Sequence, residues 1–193
     1  GSSGPTTKWG YQNYINLIKK LNESQKFYFY LLCGLNENDD AEKIIQEVGS
    51  DCCESLSNKS ISEVKNYIFL SDLYIGNDSF GHHISSQMGK PSFVILLDTP
   101  RAYSDYSINQ NRILPPNISI DDITHDSKFD PNLISVDMIL DRLKKLSGVE
   151  QVKELNSKNI LATMPFMKAV KQYLENQDGQ IVGDYDVDEP RLY

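Results

Sequence analysis

Cysteine is scarce in this chain: three in 193 residues, two of them the neighbours Cys52 and Cys53. Adjacent cysteines rarely pair, and no CxxC or Cys/His metal spacing exists. Neither a disulfide framework nor a metal knuckle is expected, and a reduced, cytoplasmic setting is the simplest reading. Long apolar runs are missing too. None reaches the roughly 18 residues that span a bilayer, and Lys19, Lys20 and Asn22 break the first apolar stretches, so no signal peptide is read. Basic residues are in the minority, 19 Lys and Arg against 27 Asp and Glu, giving a formal charge of −8. That balance argues against nucleic acid as a partner. Five of the eight net negative charges fall between Glu175 and Tyr193. The remainder is close to neutral and can admit an anionic ligand. The first residue is Gly and not Met, which reads as a processed product or a piece of a longer polypeptide.

What is present is ample for one domain of ordinary size, with 39% apolar and 24% charged residues. Tyr14, Leu17, Ile18 and Leu21 recur at helical spacing over residues 11–22. Lys26–Cys33 (KFYFYLLC) predicts a strand buried on both faces, as in a parallel sheet. After the Gly34 turn comes a helix with Ala41, Ile44, Ile45 and Val48 inward, stopped by Gly49. A short strand near Cys52–Leu56 is expected next. Ser60-Ile61-Ser62-Glu63 has capping-box spacing and opens a helix that buries Ile61, Val64 and Ile68. Strands at Leu73–Ile75 and Ser92–Leu97 flank a further helix. This β/α alternation predicts an α/β fold, a Rossmann-like doubly wound, mostly parallel sheet.

Residues 98–131 predict a long polar loop with short strands at 112–114 and 118–120. Ser135 opens a helix with Val136, Ile139, Leu140 and Leu143 on one face. The expected organisation is a Rossmann-like domain over 1–150, a helix within 151–175 that Pro165 kinks or restarts, and a poorly ordered acidic tail over 176–193.

The most informative piece is DLYIGNDSFGHHISSQMGKPSFVILL at 72–97. It reads as buried strand, sharp polar turn, helix and second buried strand. Asp78 or Ser79 is placed to cap the helix, Gly89 follows its last turn and Pro91 forbids continuation. Asn77-Asp78-Ser79 thus sits where a parallel strand ends and a helix begins. There, helix-start N–H groups and the positive dipole end favour an anion such as a diphosphate. The small Ser79 and Gly81 are expected to leave the backbone approachable.

These features, with Lys8-Trp9 opening a helix and GNDSFGHH followed by GKPSFVILL, resemble the C-terminal half of family-9 glycosyltransferases, the heptosyltransferase-type enzymes of lipopolysaccharide assembly. The resemblance covers about residues 5–147. It implies the C-terminal, donor-binding half of a two-domain GT-B enzyme that transfers a sugar from a nucleotide-sugar donor with inversion. No cofactor and no essential metal are implied. The partners implied are a nucleotide-sugar and a glycan or glycolipid acceptor reached through an N-terminal domain that also carries the catalytic base. A cytoplasmic location follows, at the inner membrane face with peripheral membrane association.

Carried onto this chain, the resemblance gives Asp78 the donor sugar hydroxyls, Ser79 and the following N–H groups the diphosphate, and His83 the completion of the turn. Phe80 stands where the family has Gly, which shifts the close backbone approach to Gly81 or weakens phosphate binding. Thr7 takes the place of the family's phosphate lysine, leaving Lys8 as the candidate charge. Glu37 is nearest the position that addresses the ribose, with Asn38 equally close. GSSG at 1–4 reads either as an added remnant or as a native phosphate-touching loop, which would bring in Ser3, Thr6 and Thr7. Arg101 reaches toward the same sheet edge.

Blander readings stand beside these. Asp78 serves as a plain cap, His82 as an exposed or loosely packed helix residue, and His125 as a loop residue. Tyr103 and Tyr106 cover core edges or stack on a base. Asp39-Asp40 and Asp121-Asp122 are turn or helix-start acids, and Asp184-Asp186-Asp188 lacks the Gly and terminal Glu of a calcium loop. Two rivals remain: a nucleotide-binding or interaction module without catalysis, and a nucleotide-sugar 2-epimerase-like enzyme.

Overall fold

In α1 (Tyr11–Ser24) the apolar residues fall in two adjacent rows. Leu17 packs with Phe93, Ile95 and Leu97, while Ile15 and Ile18 pack with Phe29, Leu31 and Ile44. One helix therefore covers two groups of strands. The computed structural model describes residues 8–24, 27–104 and 109–146. The expectations for 1–7, for 151–175 and for the tail lie outside the described residues.

The strands are β1 (Phe29–Leu31), β2 (Cys53–Ser55), β3 (Tyr74–Asn77), β4 (Ser92–Ile95) and β5 (Gln110–Ile113). They form two parallel ladders, β1-β2 and β3-β4-β5. Phe29 lies opposite Cys53, Tyr74 opposite Ser92, and Ser92 opposite Gln110. Between them run α2 (Asn38–Val48), α3 (Ile61–Leu70), α4 (Phe80–Gln87) and the short α5 (Arg101–Ser104); α6 (Val136–Leu146) follows β5.

Alternate residues of β4 and its extension face opposite layers, as strand geometry requires. Phe93, Ile95 and Leu97 meet α1 and α6, while Val94 and Leu96 meet Ile120 and Ile123. Every residue of β4 is buried, which explains its continuous apolar run. The architecture is the expected Rossmann-like α/β fold, wound on both faces.

Several local expectations need correction. The first strand is shorter than Lys26–Cys33 and is not buried on both faces: Tyr28 and Tyr30 are 47% and 37% exposed. Phe29 and Leu31 take the α1–α2 side, leaving the tyrosines against each other and against Tyr67 of α3. Phenol rings tolerate that half-wet position. Ile61 is exposed because it is the first residue of α3, while Val64 and Ile68 are buried as expected. Residues 118–120 are not a strand. Asn117 adopts φ 63°, Ile118 N–H closes a turn on Pro115, and Ile120–Asp122 forms a 3-10 turn capped by Ser119.

The capping box is real. Ser60 Oγ accepts the Glu63 N–H at 3.3 Å, and Glu63 Oε2 accepts the Ser60 N–H at 2.8 Å. Ser60→Ala is expected to cost about 1 kcal/mol, read as a lower midpoint in urea denaturation. At the other end of α3, buried Lys90 donates to the Phe69 carbonyl at 2.6 Å, so the Lys of GKP ties a helix end.

Candidate functional site

All the parallel strands run toward one edge, and the polar turns collect there. β3 ends at Asn77, whose Oδ1 accepts the Trp9 N–H at 2.9 Å. That bond fixes the start of α1 beside the end of β3. Trp9 itself is buried, and its Nε1 donates to the Ile134 carbonyl at 2.8 Å. The Tyr14 hydroxyl bonds the Asn77 backbone; burial pushes its pKa up, and nearby Tyr74 and Glu37 add to the rise. Trp9 and Tyr14, on one segment, thus both bond Asn77.

Lys8, immediately before Trp9, pairs with Glu37 at 3.1 Å. Glu37 also accepts the Gly34 N–H at 2.9 Å, which closes the turn after β1. The two sequence-predicted residues are therefore brought together, 29 positions apart in the chain.

The turn into α4 differs from the expected cap. Ser79 occupies the N-cap position in extended geometry, with φ −164°, but makes no side-chain cap bond. Its hydroxyl pairs with Tyr74 Oη at 3.2 Å, and Tyr74 Oη donates to the Asn77 carbonyl at 2.8 Å. Asp78 does not cap either: its Oδ1 lies 2.7 Å from His82 Nδ1. Neither side chain therefore caps the start of α4.

His82 is fully buried and held by Asp78, the opposite of the exposed helix residue expected from sequence. The signal lay in the spacing, since positions i and i+4 share a helix face. His83 is exposed, with Nε2 at 3.8 Å from the same carboxylate. Its pKa is lowered, chiefly by desolvation and secondarily by His82, with Asp78 opposing. A folded pKa below the ordinary 6.5 means the unfolded chain takes up the proton first. This contribution to stability is present above 6.5 and is lost as pH falls toward the lower folded value. Denaturation midpoints should drop with acidification over that window, and less steeply in His83→Gln.

A Cβ at Gly81 would run into Leu32 Cδ2 and come within 2.8 Å of Tyr74 Cε2, so the missing side chain lets α4 pack against β3 and the residue after β1. Phe80, at the first helical position, is 42% exposed and lies beside the uncapped N–H groups. Arg101 is exposed and engaged by Asp121, Nε to Oδ1 at 3.1 Å and Nη2 to Oδ2 at 3.3 Å. Asp78, His82 and His83 offer one potential metal-ligand atom each within 4.8 Å of one another. An ion there would have to displace the Asp78–His82 hydrogen bond. Ser3, Thr6, Thr7 and Tyr106 lie outside the described residues.

The family model for glycosyltransferase family 9 (heptosyltransferase) matches residues 1–113, more than half of the chain. The chain belongs to glycosyltransferase family 9. Solved structures show the same fold within that family. Escherichia coli ADP-heptose LPS heptosyltransferase II superposes with a TM-score of 0.61 at 18% identity, covering 76% of this chain and 44% of its own. E. coli heptosyltransferase WaaC, solved with ADP-2-deoxy-2-fluoro heptose, gives 0.61 at 15% identity, covering 76% and 41%. The family-9 glycosyl transferase of Veillonella parvula gives 0.61 at 14%, covering 76% and 44%. This family-9 chain spans less than half the length of these relatives. No curated protein sequence matches it. Among the described residues, no helix is long and apolar enough to cross a membrane.

Proposed function

We propose that this chain is the C-terminal, donor-binding half of an inverting GT-B glycosyltransferase of the heptosyltransferase type. The observation that carries the reading is the uncapped start of α4 at the carboxyl edge of β3, with Asp78 beside it. Lys8 lies on the adjoining segment that Trp9 pins to Asn77, and Glu37, on the turn after β1, pairs with it. A nucleoside diphosphate sugar suits that arrangement: diphosphate on the N–H groups of Ser79–Gly81, a cation at Lys8, carboxylates for sugar hydroxyls. WaaC was solved with an ADP-sugar analogue, which makes an adenosine diphosphate sugar the first donor to test.

In the reaction, a base from the partner half takes the proton from an acceptor hydroxyl of a lipopolysaccharide or other surface glycan. The resulting oxygen attacks the anomeric carbon while the bond to the diphosphate breaks. Charge builds on the leaving diphosphate, where fixed N–H donors and Lys8 stabilise it. No cofactor enters this scheme. The setting it requires is the cytoplasm, at the inner face of the membrane that carries the glycolipid acceptor.

Titration calorimetry of ADP against the full-length natural polypeptide tests the reading. Lys8→Ala is expected to weaken ADP binding several-fold. Absence of ADP binding to the parent protein, or unchanged affinity in folded Lys8→Ala, overturns it.

A further inference from the structure

Phe80 does little for the fold. It stands at the first position of α4, is 42% exposed, and joins none of the core clusters formed by the described residues. A phenyl ring there cannot cap the helix and is only a middling helix former. Single exposed apolar residues are ordinary on a general surface. This one stands among polar groups that are held in place and left incomplete.

The Asp78 side chain is only 10% exposed, and its contacts fall on one oxygen. Oδ1 meets His82 Nδ1 at 2.7 Å and lies 3.8 Å from His83 Nε2, while Oδ2 accepts no hydrogen bond from any described residue. A largely buried carboxylate oxygen without a donor is costly, and a ligand hydroxyl would satisfy it. His83 follows Phe80 by three positions, on the same face of α4. Its ring stacks on His82 at 5.3 Å, and His82 stacks on Tyr74 at 6.4 Å. That column of rings fixes the imidazole beside the carboxylate. Desolvation lowers the His83 pKa and so favours the neutral ring, which exchanges hydrogen bonds with a hydroxyl without adding charge.

An aromatic face next to a carboxylate and a neutral imidazole suits a pyranose. The faces of a pyranose present C–H groups of slightly positive charge, and the face of a phenyl ring is negative. Its rim presents hydroxyls, which a carboxylate accepts strongly. A nucleobase suits Phe80 less well. A side chain on the residue whose own N–H faces the diphosphate reaches the ring bonded directly to that diphosphate, whereas ribose holds the base further out.

We propose that Phe80 is a specificity-determining residue that stacks on the pyranose of the donor, while Asp78 Oδ2 and His83 take hydroxyls at that ring's rim. This rests on the donor-half reading above. Phe80 then contributes to binding of the nucleotide-sugar and not to binding of the bare nucleotide.

Calorimetry on the full-length natural polypeptide tests this with two ligands, ADP and ADP-2-deoxy-2-fluoro heptose, the analogue with which WaaC was solved. Phe80→Ala is expected to weaken binding of the analogue about fivefold and to leave ADP within about twofold of the parent. Phe80→Tyr keeps the ring face and should hold both affinities. Unchanged analogue affinity in Phe80→Ala overturns the stacking role, and leaves the donor-half reading standing if the parent binds ADP. An equal loss for ADP overturns it too, because the ring would then meet the nucleoside. So does a loss in Phe80→Tyr as large as in Phe80→Ala, or a Phe80→Ala protein that fails to fold by circular dichroism. A parent that does not bind ADP overturns both readings.

Discussion

Asp78→Ala is expected to lose both stability and donor affinity, and Asp78→Asn to separate the two. The carboxylate accepts from Nδ1–H of His82, which is wholly buried. Alanine leaves that ring N–H without its acceptor, at a cost of about 1–3 kcal/mol. Asparagine keeps an oxygen in the same place and should recover most of the loss. It does not keep the charge. If the carboxylate also meets donor sugar hydroxyls, Asp78→Asn should bind ADP nearly as the parent does and an ADP-sugar about tenfold more weakly, the worth of one charge-assisted bond. Urea denaturation reads the first effect and calorimetry with ADP and ADP-sugar the second. A stable Asp78→Ala variant contradicts the structural role, and equal ADP-sugar affinity in Asp78→Asn contradicts the binding role.

The largest loss of stability is expected at Trp9. Its indole is buried in the core cluster that holds Leu17, Phe93, Ile134 and Ile139, stands edge-on to Tyr14 at 5.1 Å, and bonds the Ile134 carbonyl. Trp9→Ala removes that volume and should cost about 3–5 kcal/mol, a large part of the about 5–15 kcal/mol that holds a domain folded. Trp9→Phe keeps much of the packing but leaves the Ile134 carbonyl without its donor, at about 1–3 kcal/mol. Trp9 is the single tryptophan in the chain, so the variants are followed by circular dichroism, and the parent by fluorescence as well. Because the buried indole anchors the segment whose backbone N–H bonds Asn77, Trp9→Ala should also blunt ADP binding. Trp9→Ala as stable as the parent would contradict this account of the core.

Much of this was open to view in the residues. Capping-box spacing at Ser60–Glu63, β/α alternation and the strand–turn–helix at 72–97 are local patterns whose causes act within a few residues. The exposure of Tyr28 and Tyr30 was not legible, because an apolar run does not reveal which of its faces a helix covers. His82 was misjudged for a related reason. A histidine two residues inside a helix start looks solvated until the partner at i−4 and the layer behind it are known. That Gly81 also makes room for Leu32 and Tyr74 was not legible either, since Leu32 comes from a distant part of the chain.

The sequence by itself determined the parallel α/β class, the order of elements and the place of the Asn77–Ser79 turn, since periodicity, caps and breakers act over short stretches of chain. Tertiary structure alone decided that Lys8 meets Glu37, that Asp78 holds His82 in place of capping α4, and that the strands fall into two ladders under one helix. The first and third depend on contacts between segments tens of residues apart, and the second on the burial of His82 by the layers around it, which no local preference specifies.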